Sequence, residues 1–435
     1  MLSAAENELL TRVGPGTPMG ALMREYWLPA MLSSELPEPD GAPVRVMLLG
    51  EQLIGFRDSD GRLGLIQNHC PHRGASLFFG RNEEGGLRCV YHGWKFDCGG
   101  NCLEMPNEPA ESNFKEKVKA RAYPCVERAG IIWAYLGPRS TPPPLPGLEA
   151  LEVPDGEYDV GACLRSCSWL QALEGDLDTS HVGFLHGGSR RIQDLPAGSD
   201  QYYMALHRAP RYAVLDTDYG VMYGAYRPAD EGESYWRIAQ FLFPCFTHIP
   251  GWPTLTRAWV PMDDTHTMFF VMDRAYPGRP RGEGIFWSSD PEARILPSNT
   301  SDWFGRFRSA YQSEDDYGLD RRRQREDRSM WGFTGIIGVQ TQDQAVTESM
   351  GGLLDRTIEH VGTADVMVLE IRRRLLEALR THAAGDASPP GVDEPDVYRT
   401  RSAALRLPLG VDWVQATESA RAVASARSNH PAKDA

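Results

Sequence analysis

Two short segments near the amino end of the chain each pair one cysteine with one histidine. The first is Cys70-Pro71-His72, and the second, sixteen residues further on, is Cys89-Val90-Tyr91-His92. Two thiolates and two imidazoles in this order suit a [2Fe–2S] cluster with both cysteines on one iron and both histidines on the other. Because neutral imidazoles replace two thiolates, such a cluster has a raised reduction potential and can accept and pass on an electron. The chain is therefore predicted to be a redox protein.

The same four residues also have a zinc interpretation. Zn²⁺ binds two thiolates and two imidazoles tetrahedrally, but zinc fingers place both cysteines before both histidines. Here each short loop supplies one residue of each type, and this mixed pairing favours a two-iron centre held between two loops. Gly74 and Gly93 follow the two histidines closely and let the loop backbone approach the cluster.

A second set of possible metal ligands lies in Asp178-Thr179-Ser180-His181 and, five residues beyond, in His186. Histidines five apart are slightly more than one helical turn apart. Both can therefore face one metal ion if the helix predicted from Leu173 to Leu185 loosens near Gly183. Two histidines and one carboxylate on one face of Fe(II) leave positions open for O₂ and water. Such a site would make the chain an enzyme, whereas an electron carrier needs only the first centre.

The elements that must position these residues form two regions of an α+β fold. Short strand-like stretches and turns over residues 40–140 predict a small antiparallel β domain around the cysteine–histidine loops. A stiff, proline-rich linker that begins Thr141-Pro142-Pro143-Pro144 marks the boundary between this domain and the next. Residues 141–383 are predicted to form an antiparallel sheet covered by helices, one of them amphipathic over Asp365 to Leu379. The predicted strands of this sheet are Tyr212 to Leu215, Gly220 to Tyr226, Tyr235 to Phe243, Leu255 to Val260 and Thr267 to Met272.

The two ends of the chain are predicted to be extensions of these domains. Residues 1–39 form the amino-terminal one. Residues 384–435 form the carboxy-terminal one, and its small, polar composition predicts that it is partly mobile.

Composition excludes several function classes. The chain has 435 residues and a formal net charge of −14, which argues against a general binder of nucleic acid or of anionic membranes. The sequence contains no run of about 18 or more apolar residues, so no membrane-spanning helix is predicted. The start lacks a secretory signal, so a cytoplasmic location is expected. The eight cysteines of a long chain without an export signal do not predict a disulfide scaffold.

The sequence around both cysteine–histidine pairs resembles one family. Cys70-Pro71-His72-Arg73-Gly74-Ala75-Ser76-Leu77 and Cys89-Val90-Tyr91-His92-Gly93-Trp94-Lys95-Phe96-Asp97 are similar to the amino-terminal domain of Rieske-type non-haem iron ring-hydroxylating oxygenases. The resemblance implies a large (alpha) subunit whose catalytic domain has a curved antiparallel sheet of the helix-grip or TBP-like type. It also implies a [2Fe–2S] Rieske cluster, a mononuclear Fe(II) and O₂ as co-substrate.

The resemblance assigns a role to Asp178, His181 and His186 in the second segment. His181 and His186 match the family's D-x-x-H-x₄-H pattern and become iron ligands. Asp178 becomes the carboxylate that bridges His181 of one subunit and His92 of the next in a ring-shaped homotrimer, or in a hexamer of stacked trimers. A carboxylate that accepts N–H bonds from both imidazoles would fix their tautomers and give a short, rigid electron route.

The third iron ligand is expected to be a distant carboxylate. The segment from Gln340 to Gly351 resembles the phthalate dioxygenase-like subgroup, in which an aspartate completes the ligand set. This resemblance implies Asp343, with Glu348 as the alternative.

The function implied is that of the terminal oxygenase component of a multicomponent system for aromatic catabolism. No G-x-G-x-x-G fingerprint is present, so electrons are expected from a separate NAD(P)H-dependent reductase that carries flavin and a [2Fe–2S] centre. The expected reaction is hydroxylation of an aromatic carboxylate, with phthalate-like cis-dihydroxylation favoured. The alternatives are O-demethylation of a methoxylated aromatic acid and oxygenation of a non-aromatic substrate such as a quaternary amine.

A carboxylate substrate needs a buried cation, and arginine supplies a two-pronged donor. Arg257 is the first candidate because it lies on a predicted strand with apolar neighbours, and Arg208, Arg211 and Arg237 are the others. Each could instead form a structural ion pair. Five aromatic residues are equally candidates for the pocket and for the core: Trp236, Phe241, Phe243, Phe246 and Trp252.

Overall fold

The computed structural model describes residues 2–154, 156–251, 254–274, 294–299, 301–385 and 387–423. Trp252, residue 386 and residues 424–435 therefore lie outside the described residues. The predicted α+β class is confirmed: small antiparallel sheets come first and a larger antiparallel sheet with helices follows. Among the described residues, no helix is both long and apolar enough to cross a bilayer.

The first forty residues are part of the folded structure. Helix α1 (Ala4–Thr11) begins at a capping box in which Ser3 and Glu6 satisfy each other's backbone N–H groups. Helix α2 (Pro18–Arg24) follows with proline at its first turn. Strand β1 (Trp27–Leu32) is buried at every position and pairs with a strand a hundred residues further on. The amino-terminal segment is therefore tied into the first domain by backbone hydrogen bonds.

Three small antiparallel sheets build the first domain. Besides β1, their strands are β2 (Val44–Leu48), β3 (Glu51–Arg57), β4 (Leu63–Gln67), β5 (Arg81–Glu83), β6 (Gly86–Arg88), β7 (Lys95–Phe96), β8 (Cys102–Glu104), β9 (Cys125–Arg128) and β10 (Ile131–Tyr135). The sheets with the orders β2-β3-β4 and β5-β6-β7-β8 enclose one apolar core, and the third sheet has the order β1-β10-β9.

The second domain is one eight-stranded antiparallel sheet with helices packed against it. Its strands are β11 (Tyr158–Arg165), β12 (Arg211–Thr217), β13 (Gly220–Pro228), β14 (Glu233–Leu242), β15 (Phe246–His248), β16 (Thr256–Pro261), β17 (Thr267–Arg274) and β18 (Ala403–Pro408). The strand order is β11-β17-β16-β15-β14-β13-β12, and β18 also pairs with β14. The helices are α3 (Glu149–Glu152), α4 (Trp169–Leu177), α5 (Asp200–Leu206), α6 (Arg321–Glu326), α7 (Val339–Glu348), α8 (Val366–Ala384), α9 (Trp413–Ala416) and α10 (Glu418–Arg421).

The long helix α8 covers part of this sheet, as its amphipathic pattern predicts. Met367, Ile371, Leu375 and Leu379 recur at helical spacing and are all buried. The helix contacts β12 and β13 of the sheet and also α1, α2 and α4. It ends at Gly385, which adopts the left-handed conformation that suits glycine.

The carboxy-terminal segment joins the catalytic sheet instead of standing apart from it. Strand β18 pairs with β14 from Glu233 to Ile238. Trp413 then stacks on Trp236, with ring centroids 5.6 Å apart and planes inclined by 10°. An alternating apolar segment can pair with any free strand edge, so the sequence could not identify β14 as its partner.

Candidate metal centres

The two cysteine–histidine loops have the same backbone hydrogen bonds. The Cys70 N–H donates to the Ala75 carbonyl, and the Cys89 N–H donates to the Trp94 carbonyl, both at 2.8 Å. Each loop also closes on its cysteine carbonyl, from the N–H of Gly74 or Gly93, at 2.9 Å. Both glycines have positive φ, 76° and 78°, where a side chain would be strained. The two loops are therefore matched turns that present one cysteine and one histidine each.

The two thiols of these loops lie deep in the domain. Cys70 is 3% exposed, Cys89 is 2% exposed, and neither is in a disulfide. Burial raises the pKa of Cys70 to about 12, and the adjacent Cys89 thiol adds to this effect. A metal centre would supply the positive charge that stabilises the Cys70 thiolate at this buried position.

The two imidazoles face each other at the outer side of the thiols. Their ring centroids are 4.5 Å apart with the planes at 71°. Nδ1 of His92 is buried and has no hydrogen-bond partner among the described residues. Such an orphaned atom is costly unless something binds it, and a metal would do so. The Trp94 ring stacks on His72 at 4.3 Å and shields that side.

The spread of the four ligands bears on the zinc alternative. Within the part of the chain that the structure describes, no three of these ligand atoms lie within 4.8 Å of one another. A single ion would draw its ligands closer than that, whereas two irons bridged by sulfides need a wider set. The donor set therefore fits a [2Fe–2S] cluster better than Zn²⁺.

The predicted helix from Leu173 to Leu185 is wrong at its second half, because α4 ends at Leu177. The Asp178 carboxylate accepts hydrogen bonds from the Ser180 N–H at 2.7 Å and the Ser180 hydroxyl at 2.6 Å. An aspartate that bonds its own neighbouring backbone offers an alternative to the helical ladder. The chain turns there, and His181 begins a short 3₁₀ turn that ends at Gly183. The two histidines thus lie on a turn-rich segment and not on one helix face.

Three ligand atoms meet at the end of this segment. Nε2 of His181 and Nε2 of His186 are 3.2 Å apart. Oδ1 of Asp343, from α7, lies 3.0 Å from the His186 nitrogen and 3.6 Å from the His181 nitrogen. Two imidazoles and one carboxylate converging on one point fit the facial ligand set of a non-haem iron.

The electrostatics of this group favour a bound cation. Burial by itself would raise the pKa of Asp343, but the imidazoles of His186 and His181, with Arg257 behind them, lower it to about 2. Burial would likewise lower the pKa of His181, and the carboxylates of Asp178 and Asp343 outweigh it and raise that pKa. The Asp343 carboxylate is therefore available as an anionic ligand.

Helix α7 is held so that Asp343 faces the histidines. Gln340 and Gln344, one turn apart, both accept from the buried guanidinium of Arg165, at 3.2 and 2.7 Å. At the end of the helix, Nε2 of Gln171 on α4 donates to the carbonyls of Thr347 and Gly351. These contacts join the two distant segments that carry the ligands.

Two further residues of α7 differ in their relation to the site. The alternative ligand, Glu348, lies away from the histidines and accepts from the Ser166 N–H and the Tyr317 hydroxyl, each at 2.8 Å. Gln342 is a residue that the sequence analysis missed, and its Oε1 lies 2.6 Å from Nδ1 of His186. Its position directly before Asp343 was the only sequence signal for it.

A cavity of about 360 Å³ opens beside the three ligand atoms. Its wall is largely apolar, with Val182, Met204, Ile249, Met330 and Val339 among the lining residues. Asp178 lies at the same wall, where its side chain is 28% exposed. An apolar cavity with a few polar groups beside a metal site is the usual form of a small-molecule pocket.

The four arginines that the sequence offers for substrate binding have different surroundings in the structure. Arg257 lines the cavity, but its guanidinium is paired with Asp176, whose side chain is 3% exposed. Arg237 also lines the cavity, and its donors go to neutral partners, the Thr179 hydroxyl at 3.1 Å and the Pro250 carbonyl at 3.2 Å. Arg208 lies over the Phe184 ring, and Arg211 is exposed at the start of β12; neither is among the residues that line the cavity.

A second arginine of the cavity, Arg190, has no carboxylate partner among the described residues, and no sequence pattern pointed to it. Its Nη1 donates to Gln201, and burial lowers its pKa. The described aromatic candidates do not line the cavity. Phe241, Phe243 and Phe246 are core residues, and Trp236 packs under the carboxy-terminal segment.

Two family models match consecutive parts of the chain. The Rieske [2Fe-2S] domain matches residues 26–124, and the LigXa C-terminal domain like model matches residues 134–432. The first model covers both cysteine–histidine loops, and the second covers the three converging ligand atoms.

Relatives match over nearly the whole length. The 3-chlorobenzoate-3,4-dioxygenase oxygenase subunit of Comamonas testosteroni is 46% identical over 96% of this chain and 98% of its own. The phthalate 4,5-dioxygenase oxygenase subunit of Pseudomonas putida is 37% identical over 95% of this chain and 94% of its own. A fluorene-bound oxygenase and ferredoxin complex of carbazole 1,9a-dioxygenase has the same fold, with TM-score 0.51 and 19% identity over 91% of this chain and 99% of that one.

Proposed function

Since this chain belongs to the Rieske-type non-haem iron oxygenase family, as an oxygenase subunit, we propose that it hydroxylates an aromatic carboxylate, with cis-dihydroxylation of a phthalate-like ring favoured. The protein is an oxidoreductase that uses a [2Fe–2S] cluster, a mononuclear iron and O₂. The observation that carries the substrate class is the apolar cavity beside His181, His186 and Asp343. Two of its arginines, Arg190 and Arg237, have no carboxylate partner in the part of the chain that the structure describes.

The ligand assignment follows from the two donor sets. Cys70 and Cys89 would hold one iron of the cluster, and His72 and His92 the other. Nε2 of His181, Nε2 of His186 and Oδ1 of Asp343 would hold the mononuclear iron. When bound, these groups supply electron storage and O₂ activation. The support is the buried thiol pair, the unpartnered Nδ1 of His92 and the convergence of three ligand atoms.

Arg237 is the best candidate for the substrate carboxylate. Within the described residues it has no carboxylate partner, and its known partners are a hydroxyl and a carbonyl, so its positive charge is not neutralised. A buried cation in an apolar wall favours an anionic ligand, and a guanidinium can donate two parallel hydrogen bonds to a carboxylate. Arg257 is not available in the same way because Asp176 already neutralises it.

Electrons come from a separate protein, and we propose an NAD(P)H-dependent reductase with flavin and a [2Fe–2S] centre. We also propose that the working unit is a homotrimer in which Asp178 of one subunit accepts an N–H from His92 of the next. In a single chain, the partners of the Asp178 carboxylate come from its own loop, Ser180 and His181, and part of it stays exposed. Beside His92, the exposed side chains of Val90 and Tyr91 form an apolar surface that a second subunit would cover.

A substrate screen tests the reaction. The purified protein with a surrogate reductase is given phthalate, 3-chlorobenzoate, a methoxybenzoate and an uncharged ester of phthalate, while oxygen uptake and product mass are measured. The expected result is uptake with the anionic rings and a product with two added hydroxyls. Formaldehyde release from the methoxybenzoate alone would favour O-demethylation, and turnover of the ester but not of the acids would contradict the carboxylate proposal.

Subunit mixing tests the oligomer. A Cys89→Ser chain lacks an intact cluster, and a His181→Ala chain lacks the mononuclear iron, so each is expected to be inactive alone. Co-expressed chains are expected to regain activity if electrons cross between subunits, because some interfaces then combine an intact cluster with an intact iron site. Absence of recovery in purified mixed oligomers would contradict the bridge from His92 to Asp178.

A further inference from the structure

Gln342 on α7 has no exposed surface, and both ends of its amide are engaged. Its Oε1 lies 2.6 Å from Nδ1 of His186. Its Nε2 donates to the Thr334 hydroxyl at 2.8 Å and to the Ile336 carbonyl at 2.9 Å, with the Met330 carbonyl 3.4 Å away. A buried amide whose polar atoms are all satisfied has one well-defined orientation.

The orientation of this amide determines which nitrogen of His186 carries the proton. Backbone carbonyls only accept hydrogen bonds, so the nitrogen of Gln342 must be the atom that faces Ile336. The Gln342 oxygen then faces His186 and can only accept, so Nδ1 of His186 is the protonated nitrogen. The lone pair is left on Nε2, the atom that lies 3.0 Å from Oδ1 of Asp343.

We propose that Gln342 is a positioning residue for the mononuclear metal centre. It holds the ring and the tautomer of His186 so that Nε2 faces the metal. Hydrogen bonds of this kind orient metal-bound imidazoles and raise their basicity. The inference rests on the proposed function, because it takes His186 as a ligand.

The other end of the same amide reaches the wall of the substrate cavity. Met330, whose carbonyl lies near the Gln342 nitrogen, is one of the lining residues. Phe333 in the same loop packs against Phe184, with ring centroids 6.3 Å apart. One buried side chain therefore joins the His186 imidazole to the loop of residues 330–336.

Two substitutions test separately the acceptor and the donor end of the Gln342 amide. Gln342→Leu removes the acceptor and the donors, whereas Gln342→Glu keeps an acceptor oxygen for His186 and loses the donors to the loop. The measurement is the Fe(II) dissociation constant of the mononuclear site, by competition with a chromophoric chelator, while the visible absorption of the Rieske cluster reports the fold. Gln342→Leu is expected to weaken Fe(II) binding by about 10- to 100-fold, and Gln342→Glu is expected to retain most of the affinity.

Gln240→Leu is the matched control, because it removes another fully buried amide, on β14, whose partners are the Tyr219 hydroxyl and the Arg401 carbonyl and not His186. It is expected to lower the thermal stability without changing Fe(II) affinity. Equal Fe(II) affinities in the two Leu variants would overturn the inference. If Gln342→Leu loses the Rieske absorption, Gln342→Asn takes its place, since its shorter side chain withdraws the oxygen from Nδ1 and must weaken Fe(II) binding.

His186→Ala distinguishes a failure of this inference from a failure of the proposed function. Unchanged Fe(II) affinity in His186→Ala would overturn the ligand assignment itself. Loss of Fe(II) binding in His186→Ala with wild-type affinity in Gln342→Leu would overturn only the role of Gln342.

Discussion

The two candidate metal centres are built in different ways within one chain. The first comes from two matched loops nineteen residues apart, each closed by its own backbone hydrogen bonds around Cys70 and Cys89. The second takes His181 and His186 from the segment after α4 and Asp343 from α7, far along the chain. The first centre is a local structure made twice, and the second exists only when two distant helices are packed together.

The packing that assembles the second centre is polar and buried. Glu174 on α4 bonds the guanidinium groups of Arg356 and Arg372, and all three are buried. Gln171 of the same helix bonds carbonyls at the end of α7. Because such groups are costly when any partner is missing, they select one arrangement of the helices. The first centre therefore depends on the conformation of its two loops, and the second depends on the packing of the whole catalytic domain.

The largest expected effect comes from removing one ligand from each centre. His181→Ala is expected to abolish turnover and mononuclear iron binding while the Rieske absorption stays intact. Cys89→Ser is expected to remove the Rieske absorption while Fe(II) still binds at the second centre. Iron analysis and visible spectra check both variants, and the loss of both centres in either one would contradict their independence.

Asp178→Asn tests the connection between the centres. Asparagine keeps the shape and loses the negative charge, so both metals should stay bound. Electron transfer from a reduced cluster is expected to slow by about 10- to 100-fold, the usual cost of removing such a hydrogen-bonding partner. Single-turnover kinetics with a chemically reduced cluster measure the rate, and an unchanged rate would rule out the bridge.

Two arginines of the cavity give opposite predictions. Arg237→Gln is expected to raise KM for a carboxylate substrate by about 10- to 100-fold, since a hydrogen bond to a charged group contributes about 1.5–3 kcal/mol. Arg257→Gln leaves Asp176 buried without its counter-ion and is expected to destabilise the domain by about 3–5 kcal/mol. Steady-state kinetics and urea unfolding distinguish them. A KM effect confined to Arg257→Gln would reverse the assignment.

The smallest expected effect compares the two matched loops with each other. Alanine at Gly74 or at Gly93 must adopt the left-handed conformation, at a cost of about 1–2 kcal/mol. At Gly93 the added Cβ would also lie 2.6 Å from Cγ of Pro106, whereas nothing lies within 4 Å at Gly74. Gly93→Ala should therefore lower the urea midpoint of the cluster absorption more than Gly74→Ala. Equal midpoints would mean that the loop conformation alone decides the loss.

The sequence by itself was sufficient to predict those features that depend on residues close together in the chain. The types and spacing of Cys70, His72, Cys89 and His92 indicate a two-iron cluster because both loops are short and closed by glycines. Five strands of the catalytic sheet, β12, β13, β14, β16 and β17, lie where strand-like stretches predict them. Helix α8 follows from its apolar face, since these patterns reflect local geometry.

The tertiary structure decided everything that depends on a partner from a distant segment. The strand pattern around Arg257 predicts a substrate anchor, but the buried Asp176 on α4 neutralises its guanidinium. Gln342 became important only because packing places it against Nδ1 of His186. The physical reason is that a buried charge or amide is satisfied by whichever group the packing of the whole domain brings near it, and no local pattern in the sequence encodes that choice.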